Sequence, residues 1–189
     1  MNVALRKTMC LDDFLVWEER QELRYEFDGF RPSAMTGGTA EHSAIQRNLI
    51  TALTNRLRGK PCQAHGSELK IAVAGSIRYP DAFVVCSPVA RGATVITDPF
   101  VVFEILSERT GDTDRIVKNQ EYRNTSSIQR YVMLEQVRQA ALVFVRLGED
   151  WSGRVFPDNA VLDMPEIGIE VPVAELYEGV AFPDAAAEA

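Results

Sequence analysis

The stretch Phe100-Val-Val-Phe-Glu-Ile-Leu106 decides the fold, because all of its residues except the glutamate are apolar. Valine, isoleucine and phenylalanine favour extended backbone, and a run of this kind predicts a strand that is buried on both faces of a sheet. A second apolar strand is predicted over Arg78–Cys86, and Tyr79-Pro80-Asp81 lies at the opening of its most apolar part. We expect the two strands to be neighbours in one sheet.

Helices and further strands surround these two strands. Leu11 begins an amphipathic helix, and Asp28-Gly29 is a strong turn signal within a hairpin, in which we interpret Glu26 and Asp28 as hairpin residues. Apolar residues at helical spacing predict the clearest helix over Thr39–Leu57. The other predicted elements are strands over 62–65, 68–73, 130–134, 140–147 and 151–156, a helix over 111–124, and a short helix near 173–177 in an otherwise irregular segment, 158–182. This order predicts an α/β fold, a mixed β-sheet flanked by helices, in one domain over residues 1–183 with a disordered tail at 184–189.

Composition excludes several classes of protein. The chain has 189 residues, 46% of them apolar and 25% charged, which is typical of a globular domain. It contains no apolar run of the ~20 residues that a membrane helix needs and no signal peptide, so we expect a cytoplasmic protein without membrane contact. The net charge of −7 disfavours a protein whose whole surface binds nucleic acid, although a local basic groove remains compatible with it. The motifs GxGxxG and GxxxxGK[ST] are absent, so nothing indicates a nucleotide cofactor.

The three cysteines, Cys10, Cys62 and Cys86, are an odd number with wide, unrelated spacings. They form no CxxC pair, and the spacing suggests no disulfide framework. We therefore expect three free thiols that pack as small apolar side chains.

Two carboxylates in the apolar strands indicate chemistry. Glu104 lies between Phe103 and Ile105 in the strand that we expect to be buried, where a charge must be paired, neutralised or bound to a metal. Asp81 lies near the end of the other strand, and neighbouring strands are only ~5 Å apart. Mg²⁺ and Mn²⁺ prefer such oxygen ligands. Two simpler interpretations stay open: a turn residue for Asp81, and an ion pair with an arginine for Glu104.

The wider pattern resembles a known family. Pro80-Asp81 is followed by Phe103-Glu104-Ile-Leu-Ser107 and then by Thr110, Asp114, Lys118 and Tyr122, which is similar to the Uma2 family of restriction endonucleases in the PD-(D/E)XK nuclease-like superfamily. Tyr25-Glu-Phe-Asp-Gly29, Glu41-His42 and Tyr131 agree with it, and the likeness spans about Leu11 to Phe182.

The resemblance implies a restriction-endonuclease-like fold and an Mg²⁺- or Mn²⁺-dependent endonuclease that cuts DNA. Asp81 and Glu104 would be the metal ligands, and Lys118 would complete the catalytic set. In the superfamily the lysine usually stands two residues after the glutamate, but here that position is Leu106. The Uma2 pattern instead has a lysine on the following helix, so the role of Lys118 depends on that helix packing over the sheet.

Four further residues are possible supports of this site. Glu41 could join a metal site, as an early helical acid does in related nucleases, or could only stabilise the start of its helix. His42 lies on the apolar face of the same helix, where a hydrogen-bonded core histidine is the common finding. Asp114 stands four residues before Lys118 and could orient it or pair with it at the surface, and Tyr122 stands four residues after it on the same helix face.

Basic residues near Lys118 are candidates for nucleic-acid contact. Arg109, Arg115 and Arg123, together with Arg130, could line a groove that faces phosphates, or could belong to a solvated surface of mixed charge. Because two strands need two cuts, a homodimer is expected. Two other functions stay open: an inactive nuclease fold that serves as a binding or regulatory module, and a metal-dependent hydrolase of a small phosphorylated substrate.

Overall fold

The computed structural model describes residues 9–35, 37–106 and 113–182, without the side chains of 113–115. Within them the chain forms four α-helices, a π-helical segment and thirteen strands. The helices are α1 (Leu11–Glu18), α2 (Ala40–Leu57), α3 (Asn119–Asn124) and α4 (Val173–Leu176), and the π-helical segment is Thr113–Lys118. The predicted tail, 184–189, lies outside the described residues. No helix in the described part of the chain is both long and apolar enough to cross a membrane.

The strands form three sheets. They are β1 (Tyr25–Phe27), β2 (Pro32–Ala34), β3 (Gln63–Gly66), β4 (Lys70–Val73), β5 (Ser76–Arg78), β6 (Ala82–Val85), β7 (Val95–Ile96), β8 (Val101–Leu106), β9 (Arg130–Glu135), β10 (Ala140–Leu147), β11 (Asp150–Pro157), β12 (Val161–Met164) and β13 (Ile169–Pro172). The largest sheet has the order β11-β10-β9-β8-β6-β3, in which β8 and β9 are parallel and the other pairs are antiparallel. A second sheet has the order β2-β1-β5-β4-β7, and β12 pairs with β13. The predicted mixed sheet flanked by helices is confirmed.

Strand β8 lies in the interior of the largest sheet, and all six of its residues are buried. Val101, Phe103 and Ile105 pack in one apolar cluster with the buried face of α2. Val102 and Leu106 belong to a second cluster on the opposite face, together with Tyr122 of α3 and residues of β4. The run at 100–106 is apolar at both odd and even positions because helices and strands cover both of its faces.

The predicted strand over Arg78–Cys86 is wrong in its extent, because the structure divides it at Tyr79–Asp81. β5 pairs with β1 and β4 in the second sheet, whereas β6 pairs with β3 and β8 in the largest one. Pro80 has no N–H to donate to a ladder, so the chain changes sheets at this point. The divided strand leaves Asp81 at the junction of the two sheets.

The irregular segment predicted over 158–182 is also wrong, since it contains the β12–β13 hairpin. The four apolar residues at alternate positions are buried: Leu162, Met164, Ile169 and Val171. Pro165 lies in the turn and Pro172 ends the second strand, so neither proline interrupts the pairing. The short helix predicted after the hairpin is confirmed as α4.

The prediction of three free thiols is wrong for two of them. Cys62 and Cys86 form a disulfide, and Cys10 is free and exposed. Gln63 pairs with Val85 in the β3–β6 ladder, so the cysteines stand one position beyond that pair. The cysteines are 24 residues apart in the sequence, and the pairing of β3 with β6 brings them together. The spacing of the cysteines alone does not reveal this pairing.

Candidate active site

Asp81 is held where the two larger sheets meet. Its Oδ2 accepts a hydrogen bond from the backbone N–H of Ile105 at 2.7 Å. Its Oδ1 lies 3.2 Å from Nε2 of His42, and Gln46 Nε2 donates to its backbone carbonyl at 3.0 Å. The Asp81 side chain is 13% exposed, so the carboxylate is fixed between β8 and the start of α2 and still borders solvent.

Glu104 lies beside Asp81 in register. Ala82 pairs with Phe103 in the β6–β8 ladder, and one further position brings Asp81 opposite Glu104. The two residues are therefore next to each other, although the Asp81 carboxylate contacts α2, whose buried face packs on the other side of β8 from Glu104. Glu104 is 3% exposed and faces the same side as Val102 and Leu106.

Lys118 and Tyr122 contact the same oxygen of Glu104. The Lys118 ammonium is 3.0 Å from Oε1, and the Tyr122 hydroxyl donates to this atom at 2.6 Å. We call these three residues the Glu104 cluster. Lys118 is the last residue of the π-helical segment, and it is only 7% exposed, with its ammonium between the carboxylates of Glu26 and Glu104. Lys118 thus reaches Glu104 from the segment that follows β8 in the chain.

Three residues that the sequence did not indicate as part of the site extend this network. Glu26 Oε1 lies 3.1 Å from the Lys118 ammonium and accepts the N–H of Tyr79 at 3.2 Å. Its other oxygen is 3.2 Å from the guanidinium of Arg78, which also binds both oxygens of Glu121 at 2.7 Å. Side chains alternate along β1, so the sequence predicts that Glu26 faces the opposite side of the sheet from Phe27. It does not predict that Glu26 contacts Lys118 and Arg78 on that side. The contact joins residues far apart in the chain, so spacing alone carries no signal for it.

The electrostatics keep Glu26 charged and Tyr122 protonated. Burial tends to raise the pKa of Glu26, but the charges of Lys118 and Arg78 outweigh burial, so the pKa is lowered overall. Burial, reinforced by the negative charge of Glu104, raises the pKa of Tyr122 well above its ordinary value. Tyr122 therefore remains a hydrogen-bond donor to Glu104 at neutral pH.

The remaining candidate residues have different environments. Glu41 lies in the first turn of α2, where hydrogen bonds from its own backbone N–H and from Thr39 lower its pKa, as expected of an acid at a helix start. His42 contacts Asp81 as given above. The side chains of Asp114, Arg109 and Arg115 lie outside the described residues.

Two of the candidate arginines are described. Arg123 is exposed, with its guanidinium 5.9 Å from the ring centroid of Phe144 and 6.0 Å from that of Trp151. Arg130 is 5% exposed and binds both oxygens of Glu166, so the suggestion that it lines an open groove is wrong. Arg123 thus remains available to a ligand at the surface.

One family model matches most of the chain, and two curated proteins are similar to it in sequence. The model of the Uma2 family, described as "Putative restriction endonuclease", matches residues 11–174. The chain is 32% identical over 175 residues to an uncharacterized protein of Synechocystis sp., covering 90% of this chain and 92% of that protein. A second uncharacterized protein of that organism is 25% identical over 141 residues, covering 72% of this chain and 80% of the other.

A solved structure confirms the fold. A "putative nuclease belonging to DUF820" from Anabaena variabilis superposes with a TM-score of 0.75 and covers 92% of this chain and 99% of that one. The identity between the two is 19%, so this likeness concerns the fold alone. The predicted nuclease-like α/β architecture is confirmed by it.

Proposed function

Since the chain belongs to the Uma2 family, we propose that it is a metal-dependent endonuclease that hydrolyses phosphodiester bonds in DNA. The observation that carries the proposal is that Asp81 accepts the N–H of Ile105, next to Glu104, and that the Lys118 ammonium lies 3.0 Å from Glu104 Oε1. Two carboxylates and a lysine near the ends of neighbouring strands in a nuclease-type sheet can supply metal ligands and a positive charge for a phosphate.

The donor set fits Mg²⁺ or Mn²⁺. In the described part of the chain no three His, Cys, Asp or Glu side chains are grouped so as to hold an ion. Mg²⁺ does not need such a group, because it is commonly bound by one or two carboxylates together with waters and substrate phosphates. Asp81 and Glu104 would be these ligands. A bound ion would neutralise charge on the phosphate and lower the pKa of a coordinated water.

The surrounding side chains position the two carboxylates. The N–H of Ile105 contacts one oxygen of Asp81 and the imidazole of His42 contacts the other, so both oxygens have fixed positions. Tyr122 and Lys118 hold Glu104, and Glu26 keeps the Lys118 ammonium beside it. A fixed ammonium can stabilise negative charge that develops on a phosphate oxygen during hydrolysis.

We propose that arginines contact the nucleic acid outside this centre. Arg123 is exposed on α3, the helix that carries Tyr122, and we propose that it contacts a backbone phosphate together with Arg109 and Arg115. Such contacts are electrostatic, so binding should weaken steeply as salt concentration rises. The net charge of −7 makes this local group of cations more important for binding.

The test is cleavage of supercoiled and linear DNA with Mg²⁺, with Mn²⁺ or with EDTA, by wild type and two matched variants. Asp81→Asn removes the proposed ligand, and Asp163→Asn changes an exposed aspartate on β12. We expect wild type and Asp163→Asn to cut with metal only, and Asp81→Asn to be slower by about 100-fold or more, the size of effect seen when one essential polar group is removed. Equal cleavage by all three preparations would mean a contaminating nuclease and would overturn the proposal.

A second measurement addresses the metal without activity. Titration of Mn²⁺ into wild type and Glu104→Gln should show binding that the substitution weakens, because an amide is a poorer ligand than a carboxylate. Unchanged affinity would remove Glu104 from the proposed ligands and leave it as part of a buried ion pair.

A further inference from the structure

Among the strands that the structure describes, β11 is an unusually long free edge. It forms one edge of the largest sheet and has eight residues, whereas the other edge strands of the two larger sheets, β3, β2 and β7, have four, three and two. Six of its eight residues are exposed, including Val155, whose exposure is 58%. A free edge of this length presents a row of N–H and C=O groups to which another strand can pair.

The register shows which backbone groups point outwards. The N–H of Arg146 donates to the carbonyl of Gln129 on the β9 side at 2.9 Å, so Arg146 does not bond to Trp151, its partner on β11. Bonded and non-bonded pairs alternate along an antiparallel ladder. Trp151, Gly153 and Val155 therefore direct their N–H and C=O groups away from β10.

The sequence of β11 is complementary to itself in one antiparallel register. With two copies centred on Ser152, Asp150 of each copy stands opposite Arg154 of the other, so two pairs of opposite charge form by symmetry. Trp151 stands opposite Gly153 of the second copy, and both are outward-pointing residues that can exchange hydrogen bonds. Gly153 lies against the Phe144 ring, which would be 2.8 Å from a Cβ at this position, so a side chain does not fit there. The tryptophan of the second copy therefore stands opposite a residue without a side chain.

We propose that the protein forms a homodimer by antiparallel pairing of β11 with β11 of a second copy, centred on Ser152. The register joins the two largest sheets into one continuous sheet. It places the exposed Val155 of each copy opposite Glu149 of the other, at the ends of the contact, and pairs the charges that edge strands otherwise use to prevent association.

The dimer has a consequence for the two sites, which rests on the proposed function. Glu104 is in register with Met133, Leu142 and Val155 across the sheet, so its side chain lies on the same face as that of Val155. The twofold axis of such a pair is perpendicular to the sheet, which leaves both Glu104 clusters on one face. Strand spacing puts them roughly 40 Å apart, comparable with one turn of a DNA duplex.

The test is the mass of the full chain in solution, by light scattering or sedimentation, with charge-reversal variants. We expect twice the 21.1 kDa of one chain for wild type. Arg154→Asp and Asp150→Arg each bring like charges together and should raise the dimer dissociation constant by about tenfold or more. The double variant Asp150→Arg/Arg154→Asp restores opposite charges and should restore the dimer. Arg91→Asp, at an exposed arginine outside the sheets, should behave as wild type.

A backbone variant tests the hydrogen bonds independently. Val155→Pro removes an outward N–H that β10 does not use, so the variant should keep its thermal unfolding temperature and lose dimerisation. A monomeric wild type at about 100 µM would overturn the proposal, and so would a dimer that is insensitive to these changes or a double variant no better than the single ones. Asp81→Asn should still be a dimer, so failure of the proposed function and failure of this proposal are distinguishable.

Discussion

Two buried clusters in this chain are built from the same three residue types. In the Glu18 cluster, Glu18 accepts from the Lys70 ammonium and from the Tyr79 hydroxyl, as Glu104 does from its own lysine and tyrosine. The three residues of the Glu18 cluster are 6–8% exposed, which is close to the burial of the Glu104 cluster. Composition and burial therefore do not distinguish the two.

The difference lies in what stands beside each cluster. Glu18 ends α1, and its contacts fasten that helix to the second sheet, where Lys70 lies on β4 and Tyr79 follows β5. The Glu104 cluster lies on β8 beside Asp81, a second carboxylate that borders solvent. We therefore propose a site only for the buried carboxylate that has a second carboxylate next to it in the sheet. The cost of a buried charge explains both clusters, and function is proposed for one.

The largest expected effect concerns the Glu18 cluster. Lys70→Met leaves Glu18 buried without its cation, and breaking a buried ion pair in this way costs about 3–5 kcal/mol of the free energy of unfolding. Urea unfolding measures the loss, and Lys60→Met, at an exposed lysine, is the control. DNA cleavage per folded molecule should not change. A loss below about 1 kcal/mol, the size of an ordinary substitution, would show that the cluster does not fasten α1.

The second prediction separates the clusters by activity. Glu104→Gln should slow cleavage by about 100-fold or more, equivalent to about 2.7 kcal/mol of activation free energy. Glu18→Gln makes the same chemical change in the matched position and should leave the rate of the folded enzyme within about threefold, less than 1 kcal/mol of activation free energy. Equal losses in the two variants would mean that the rate reports stability alone, and the distinction between the clusters would fail.

A helix or strand can be predicted from the sequence where its own residues show the periodicity of that element. The run at 100–106, the helix ending at Leu57 and the three strands between Arg130 and Pro157 follow from periodicity and turn signals. The error at Pro80 is instructive, because the apolar pattern continues through Tyr79–Asp81 while the chain changes sheets there. The pattern of apolar residues shows which face of a helix or strand is buried. It does not show which other element packs against that face.

The site is predictable only in part for the same reason. Glu104 is detectable because a charge interrupts an apolar strand, and Lys118 is suggested by resemblance to a family. Glu26, Arg78 and the Cys62–Cys86 disulfide depend on pairing between segments that are distant in sequence. No local spacing encodes such pairing, since it follows from strand register in the finished sheets.

The third prediction concerns acid stability, through Glu26 beside the Glu104 cluster. The pKa of Glu26 is lowered from 4.5, because the charges of Lys118 and Arg78 outweigh burial. A lowered pKa means that this carboxylate stabilises the fold above about pH 4.5 and that the stabilisation disappears as the pH falls through the folded-state value. Glu26→Gln should therefore cost about 1–2 kcal/mol at about pH 7, and less below about pH 4. Urea unfolding at several pH values measures this, and an equal cost at every pH would show that the charge of Glu26 is not involved.

The smallest expected effects come from the matched tyrosines. Tyr79→Phe and Tyr122→Phe each delete one hydroxyl that donates to a buried glutamate, which should cost about 1 kcal/mol of unfolding free energy. Burial and the neighbouring glutamate raise the pKa of both tyrosines, so both are donors at neutral pH. Only Tyr122→Phe should also slow cleavage, by about fivefold, because Glu104 loses one of the groups that orient it. If both variants lose stability equally and neither changes the rate, then Tyr122 supports the fold as Tyr79 does, and orientation of Glu104 depends on Lys118.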